Sequence, residues 1–146
     1  MKTKLFLLLA AGALAGCAKP GPELGPRHEV TVWIKAKVPF SADYDWDYAA
    51  IKQRQGAQEW LYSNSGTGGY YFENHEYTIG NQEAGSIFVA TGSFAPSTRR
   101  AGSLPSSAYI QLRILVDDEV KADTTINSLM PASSSGRREA RLQVTL

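Results

Sequence analysis

The chain has 146 residues, with 15 Lys and Arg against 14 Asp and Glu, a formal charge of +1. At about 100–200 residues per domain this length holds one domain, and so even a charge balance gives no electrostatic footing for a nucleic-acid partner. A single cysteine excludes a disulfide framework within the chain and any multi-cysteine zinc or iron–sulfur site.

The N-terminal residues read as an address. Lys2 and Lys4 precede residues 5–16, a run without a charge. A helix crossing a bilayer core of ~30 Å needs about 20 residues, so this run is too short to span and has the proportions of a secretory signal peptide. It closes on Leu14-Ala15-Gly16-Cys17. Small residues at Ala15 and Gly16 admit the backbone to a peptidase site, Leu14 fills a pocket, and Cys17 supplies the only thiol. These four residues closely resemble the lipobox of bacterial lipoproteins, Leu-[Ala/Ser]-[Gly/Ala]-Cys. The resemblance implies cleavage between Gly16 and Cys17, a diacylglyceryl thioether on the Cys17 sulfur, and acylation of the new amine by a chain such as palmitate. Two or three acyl chains anchor a protein stably, whereas one binds only marginally. The alternative is an ordinary signal peptide whose cleavage site happens to be followed by Cys17. Ala18 is not the Asp that, in the best-known sorting rule, holds lipoproteins at the inner membrane, so the resemblance favours the outer membrane. Loss of residues 1–16 removes Lys2 and Lys4 and leaves 13 basic against 14 acidic side chains. The mature domain then has no charge argument for anionic lipid either.

Residues 17–28 hold the lipidated cysteine and a linker. Three Pro and two Gly among residues 18–28 oppose both helix and ladder. At most ~3.3 Å per residue, the segment lifts the domain up to about 35 Å from the bilayer.

Residues 29–146 read as the folded domain. Val30, Val32, Ile34, Ala36 and Val38 alternate with Thr31, Trp33, Lys35 and Lys37, a half-buried strand stopped by Pro39. Residues 44–51 repeat the pattern, with Tyr44, Trp46, Tyr48 and Ala50 opposite Asp45, Asp47 and Ala49. Residues 58–63 predict a short third strand, closed by a loop over residues 64–69. Only residues 53–60 admit a helix, which Gly56 weakens. Residues 70–79 predict a strand stopping at Gly80-Asn81, and residues 86–94 another. Ile110, Leu112, Ile114 and Val116 alternate up to Asp117-Asp118, after which Val120, Ala122 and Thr124 alternate on a return strand, a hairpin. Ala140, Leu142, Val144 and Leu146 give the last inward row. Seven or eight short strands with regular turn signals predict a single antiparallel β-sandwich of immunoglobulin-like size, without the Cys…Trp…Cys hallmark of true immunoglobulin domains. Residues 85–90 and 108–120 together resemble small envelope β-sandwich lipoproteins, in which a strand ending in Ala precedes an I-x-V-x-I-x-V-D-G-x hairpin. Asp118 stands here in place of that Gly.

Candidate chemistry is sparse. Asp43, Asp45 and Asp47 open like a calcium loop, but the sixth and twelfth positions hold Tyr48 and Arg54 instead of Gly and Glu, so the expectation is a solvated strand face. His28 falls in the linker, and His75 lacks the spacing of a zinc or acid–base motif. Arg99-Arg100 and Arg137-Arg138 sit in Ser/Gly-rich stretches, where solvated charge is expected. The Gly66-Thr67-Gly68-Gly69 loop has no following helix or Lys to hold phosphate. No cofactor or catalytic residue is expected. The expected function is a lipid-anchored envelope protein held at the membrane through acylated Cys17, with a contact surface at Trp60, Tyr62 and Tyr71 beside the Gly-rich loop. Its partner would be an envelope protein or, if exposed rings such as Trp33, Trp60 and Tyr71 form a coplanar row, a glycan. A hydrolase would instead gather His75 with Glu76 or Asp47 in a pocket.

Overall fold

The computed structural model describes residues 25–39, 44–68, 71–97 and 103–146. Among these residues there are eight strands, β1 Arg27–Val38, β2 Tyr44–Arg54, β3 Ala57–Thr67, β4 Tyr71–Glu83, β5 Ile87–Pro96, β6 Tyr109–Val116, β7 Glu119–Asn127 and β8 Arg138–Thr145. They form two four-stranded antiparallel sheets, the first in the order β4-β1-β6-β7 and the second β3-β2-β5-β8. The predicted all-β sandwich is therefore the fold.

Alternation places the core. Val30, Val32, Ile34, Ala36 and Val38 of β1 are all buried, and they meet Tyr44, Trp46, Tyr48 and Ala50 of β2 across the sandwich. Phe88, Ala90 and Phe94 of β5 and Ile110, Leu112 and Ile114 of β6 complete the interior. Each such Val, Ile, Leu or Phe contributes about 1.5–3 kcal/mol on burial. Ala140, Leu142, Val144 and Leu146 pack against this core from β8 and the residue after it, as their spacing predicts.

Two connections stay within a sheet, and both are two-residue turns. Asp117 and Asp118 have φ of 51° and 64°, and Gln55 and Gly56 have φ of 49° and 82°. Positive φ at both central positions is the type I′ geometry that matches strand twist. The Gln55-Gly56 turn replaces the helix that residues 53–60 admitted, since Gly56 takes the left-handed conformation at no steric cost.

Several boundaries differ from expectation. The first strand starts at Arg27, inside the segment read as linker, because His28 pairs with Gln82 and its Nδ1 donates to the Asp117 carboxylate at 2.6 Å. β3 runs on to Thr67, so residues 64–67 are strand and not loop; Gly66 pairs with Trp46, whose indole lies against its bare Cα. β4 passes through Gly80-Asn81 to Glu83, with Asn81 at φ 57° absorbing a register shift against β1. A second shift, opposite Ile114 and Leu115, turns Val120 outward, where it is 46% exposed instead of inward.

Candidate functional site

Cys17, Asp43, Tyr70, Arg99 and Arg100 lie outside the described residues. The remaining candidates separate onto different surfaces. Along β3, Tyr62 pairs with Ala50 and Trp60 with Ile51, so Leu61 is an extra residue in the ladder. One extra residue reverses the faces of everything beyond it. Tyr62 thus points between the sheets while Trp60 points out, 61% exposed. Trp60, Tyr62 and Tyr71 do not share a surface as expected. Trp33 lies on the outer face of the first sheet, where Arg113 sits 5.0 Å over its ring, so Trp33, Trp60 and Tyr71 form no coplanar row.

Tyr62 and Tyr71 instead belong to a seam along one side of the sandwich. Here the edge strands β3 and β4 face one another and are joined by side chains. Tyr71 stacks on Trp46 at 4.4 Å and Tyr62 on His75 at 4.0 Å, each ring pair spanning the two sheets. Both tyrosine hydroxyls donate to the Glu73 carboxylate. Asn64 Nδ2 donates to Tyr71 Oη at 2.6 Å, and Tyr48 Oη lies 2.9 Å from the same atom. Burial raises the Glu73 pKa above its ordinary value, opposed by the nearby His75, whose Nδ1 is 3.9 Å away. Burial also raises that of Tyr62, reinforced by Tyr71. Glu76 projects to the opposite face, beside Trp33, so it does not meet His75. The tyrosine hydroxyls, Asn64 and Glu73 satisfy one another and clasp the two sheets, while Trp46 Nε1 and His75 Nε2 are buried there without a hydrogen-bond partner among the described residues.

The outer face of the second sheet is the more open surface. The register stacks its side chains in rungs that run across all four strands. One rung is Trp60–Ile51–Val89–Gln143, the next Ser63–Ala49–Thr91–Arg141, and the third Ser65–Asp47–Ser93–Glu139. Ile51, Ala49 and Val89 form a small apolar floor, separate from the main core. Ala49 is the short side chain of the middle rung, flanked by hydroxyls, and the surface dips there. Two shallow depressions, one reaching Trp60 and the other Arg141, share Asp47 and Thr91. They make one groove crossing the sheet.

The acid at its rim is held in place. Asp47 Oδ2 accepts from Ser93 Oγ at 2.9 Å and from Arg137 at 3.2 Å, while Arg137 Nε lies 2.8 Å from Glu139. Arg137 is therefore paired and not simply solvated, and Arg138 donates to the Met130 carbonyl at 2.9 Å from within β8. Asp47 shares a face with Asp45, but its nearest charged neighbour is a guanidinium. Among the described residues no group of three His, Cys, Asp or Glu is placed to hold a metal ion. Sequence reasoning missed the Asp47–Arg137 pair, which joins residues 90 apart in the chain, and it missed Arg141. Strand alternation alone could have placed Arg141 outward.

Fold and surface together define a small antiparallel β-sandwich with a side-chain seam on one flank and an open groove on one face. No family model matches the chain, and no curated protein or solved structure matches it either.

Proposed function

We propose that this chain is a lipid-anchored protein of the bacterial cell envelope whose β-sandwich serves as a binding or scaffolding module. The observation that carries the reading is the position of Cys17: the only thiol of the chain closes the uncharged run of residues 5–16 in a Leu-Ala-Gly-Cys sequence. Acylated there, the protein is held at the membrane, at the outer membrane by the identity of Ala18, and the domain works by contact and not by catalysis. Replacing Cys17 with Ala should abolish acylation and leave an unprocessed precursor displaced from the membrane fraction. A Cys17→Ala protein with normal mature mass and normal fractionation overturns the anchor. A glycan ligand is the second reading, favoured by the exposed indole of Trp60 beside hydroxyl groups on the outer face of the second sheet.

A further inference from the structure

We infer that the groove across the outer face of the β3-β2-β5-β8 sheet binds a short acidic oligosaccharide, with a sugar ring on the Trp60 indole and a sugar carboxylate on Arg141. The inference deepens the contact-module reading and rests on it.

Three features of the face converge on this ligand. The first is the platform. Ile51 beneath is already buried, yet Trp60 keeps most of its own surface in water. An indole that served only to cover the apolar floor would lie flat and spend its face there. A pyranose ring presents a flat patch of C–H groups to such a surface, and rigid aromatic rings give contact area at low entropic cost. The second is the floor of the groove. Ser63 and Thr91 flank Ala49, so hydroxyls stand on both sides of a depression, with Asp47 at its edge. These are donors and acceptors suited to sugar hydroxyls, and the methyl of Ala49 leaves them room.

The third is the charge at the far end. Arg137 lies between Asp47 and Glu139 and engages both carboxylates. Arg141 is exposed, and among the described residues no salt bridge joins it to an acid; its Nη2 donates to Gln143 Oε1 at 3.4 Å. A guanidinium free of a carboxylate at the end of a polar groove complements a carboxylate brought by the ligand, in the bidentate geometry that suits Arg. Trp60 and Arg141 stand on adjacent rungs of outermost strands. Three strand spacings separate them, about 14 Å, so a single sugar does not reach both and an oligosaccharide does. A second copy of the chain seated on Trp60 would leave the hydroxyl rung and Arg141 without a purpose.

The test uses the full chain in micelles of a detergent without a sugar headgroup. Tryptophan fluorescence and calorimetry would follow titration with β-1,4-linked trimannuronate and trigalacturonate, each beside its neutral trisaccharide. At least one acidic trimer should saturate and bind about tenfold tighter than its neutral counterpart, with the margin shrinking as salt is raised. Arg141→Gln should erase that margin, and Trp60→Ala should weaken both sugars at least tenfold while circular dichroism is unchanged. Trp33→Ala, on the opposite sheet, should bind as the parent does. Saturation by neither acidic trimer overturns the inference, as does full affinity in Trp60→Ala or an undiminished margin in Arg141→Gln. So does light scattering that shows a Trp60-dependent dimer without sugar binding. Cys17→Ala should bind sugar normally, so a failed anchor and a failed groove give different results.

Discussion

Burial holds the Glu73 carboxyl above its ordinary range although two tyrosine hydroxyls donate to it. A carboxyl with a raised folded value keeps its proton longer in the folded state than in the unfolded chain. Its contribution to stability is complete below the ordinary value of 4.5 and is lost as pH rises through the folded value. Asp117 behaves in the opposite sense: the His28 hydrogen bond, then the Glu29 backbone N–H, depress it below 3.8. Its contribution is present above 3.8 and is lost as pH falls through the lower folded value. Urea unfolding over a pH series should therefore show Glu73→Gln flattening the decline above 4.5, and Asp117→Asn flattening only the acid limb. Glycines give a second contrast. A Cβ on Gly66 would sit 2.7 Å from Trp46 Cζ2, whereas one on Gly80 would meet nothing within 4 Å. Gly66→Ala should cost about 1–3 kcal/mol by overpacking a buried ring, and Gly80→Ala should change stability by less than about 0.5 kcal/mol. Thermal melts of the two proteins decide it. The need for Gly66 was not visible in the chain, where Ser63-Asn64-Ser65-Gly66-Thr67 has the composition of a loop.

The β6–β7 hairpin is the element whose reading from sequence was fullest, because four apolar residues alternate without interruption up to a turn pair. Ile114 is completely buried and Arg113 faces out to Asp123, with its Nη2 2.7 Å from the carboxylate. Ile114→Asp should cost at least several kcal/mol by placing an unpaired carboxylate in the core. Arg113→Asp should cost about 1–2 kcal/mol, from the lost exposed pair, the like charges set opposite and the lost contact with the Trp33 ring. Equal shifts in denaturation midpoint would place the β6 register one residue away. Where the face of a side chain was misread along a strand, a register shift was the cause. Leu61, the Gly80-Asn81 pair and the residues around Val120 each break the alternation once. A break of one residue leaves composition unchanged while reversing which face every later side chain meets. That is why Trp60 and Tyr62 read as one patch and are not.

At the scale of the molecule, the layered architecture was legible because burial imposes a period of two on every central strand. The outer-face groove was not, because its members Trp60, Asp47, Thr91 and Arg141 come from four strands and meet only through the pairing of those strands. Only two connections, at Gln55-Gly56 and Asp117-Asp118, join neighbours in the same sheet; every other link among the strands crosses from one sheet to the other. The sandwich is thus closed by contacts between distant parts of the chain. β1 lies between β4 and β6, with Val30 against both Ile79 and Val116. β1 precedes both of its native neighbours in the chain, β4 beginning at Tyr71 and β6 at Tyr109. Until they pair with it, an apolar strand with bare edges is exposed to other unfinished chains, the condition in which strands aggregate. The first sheet is complete only with β7, which ends at Asn127, so its pairings join distant parts of the chain, the kind of topology that slows folding.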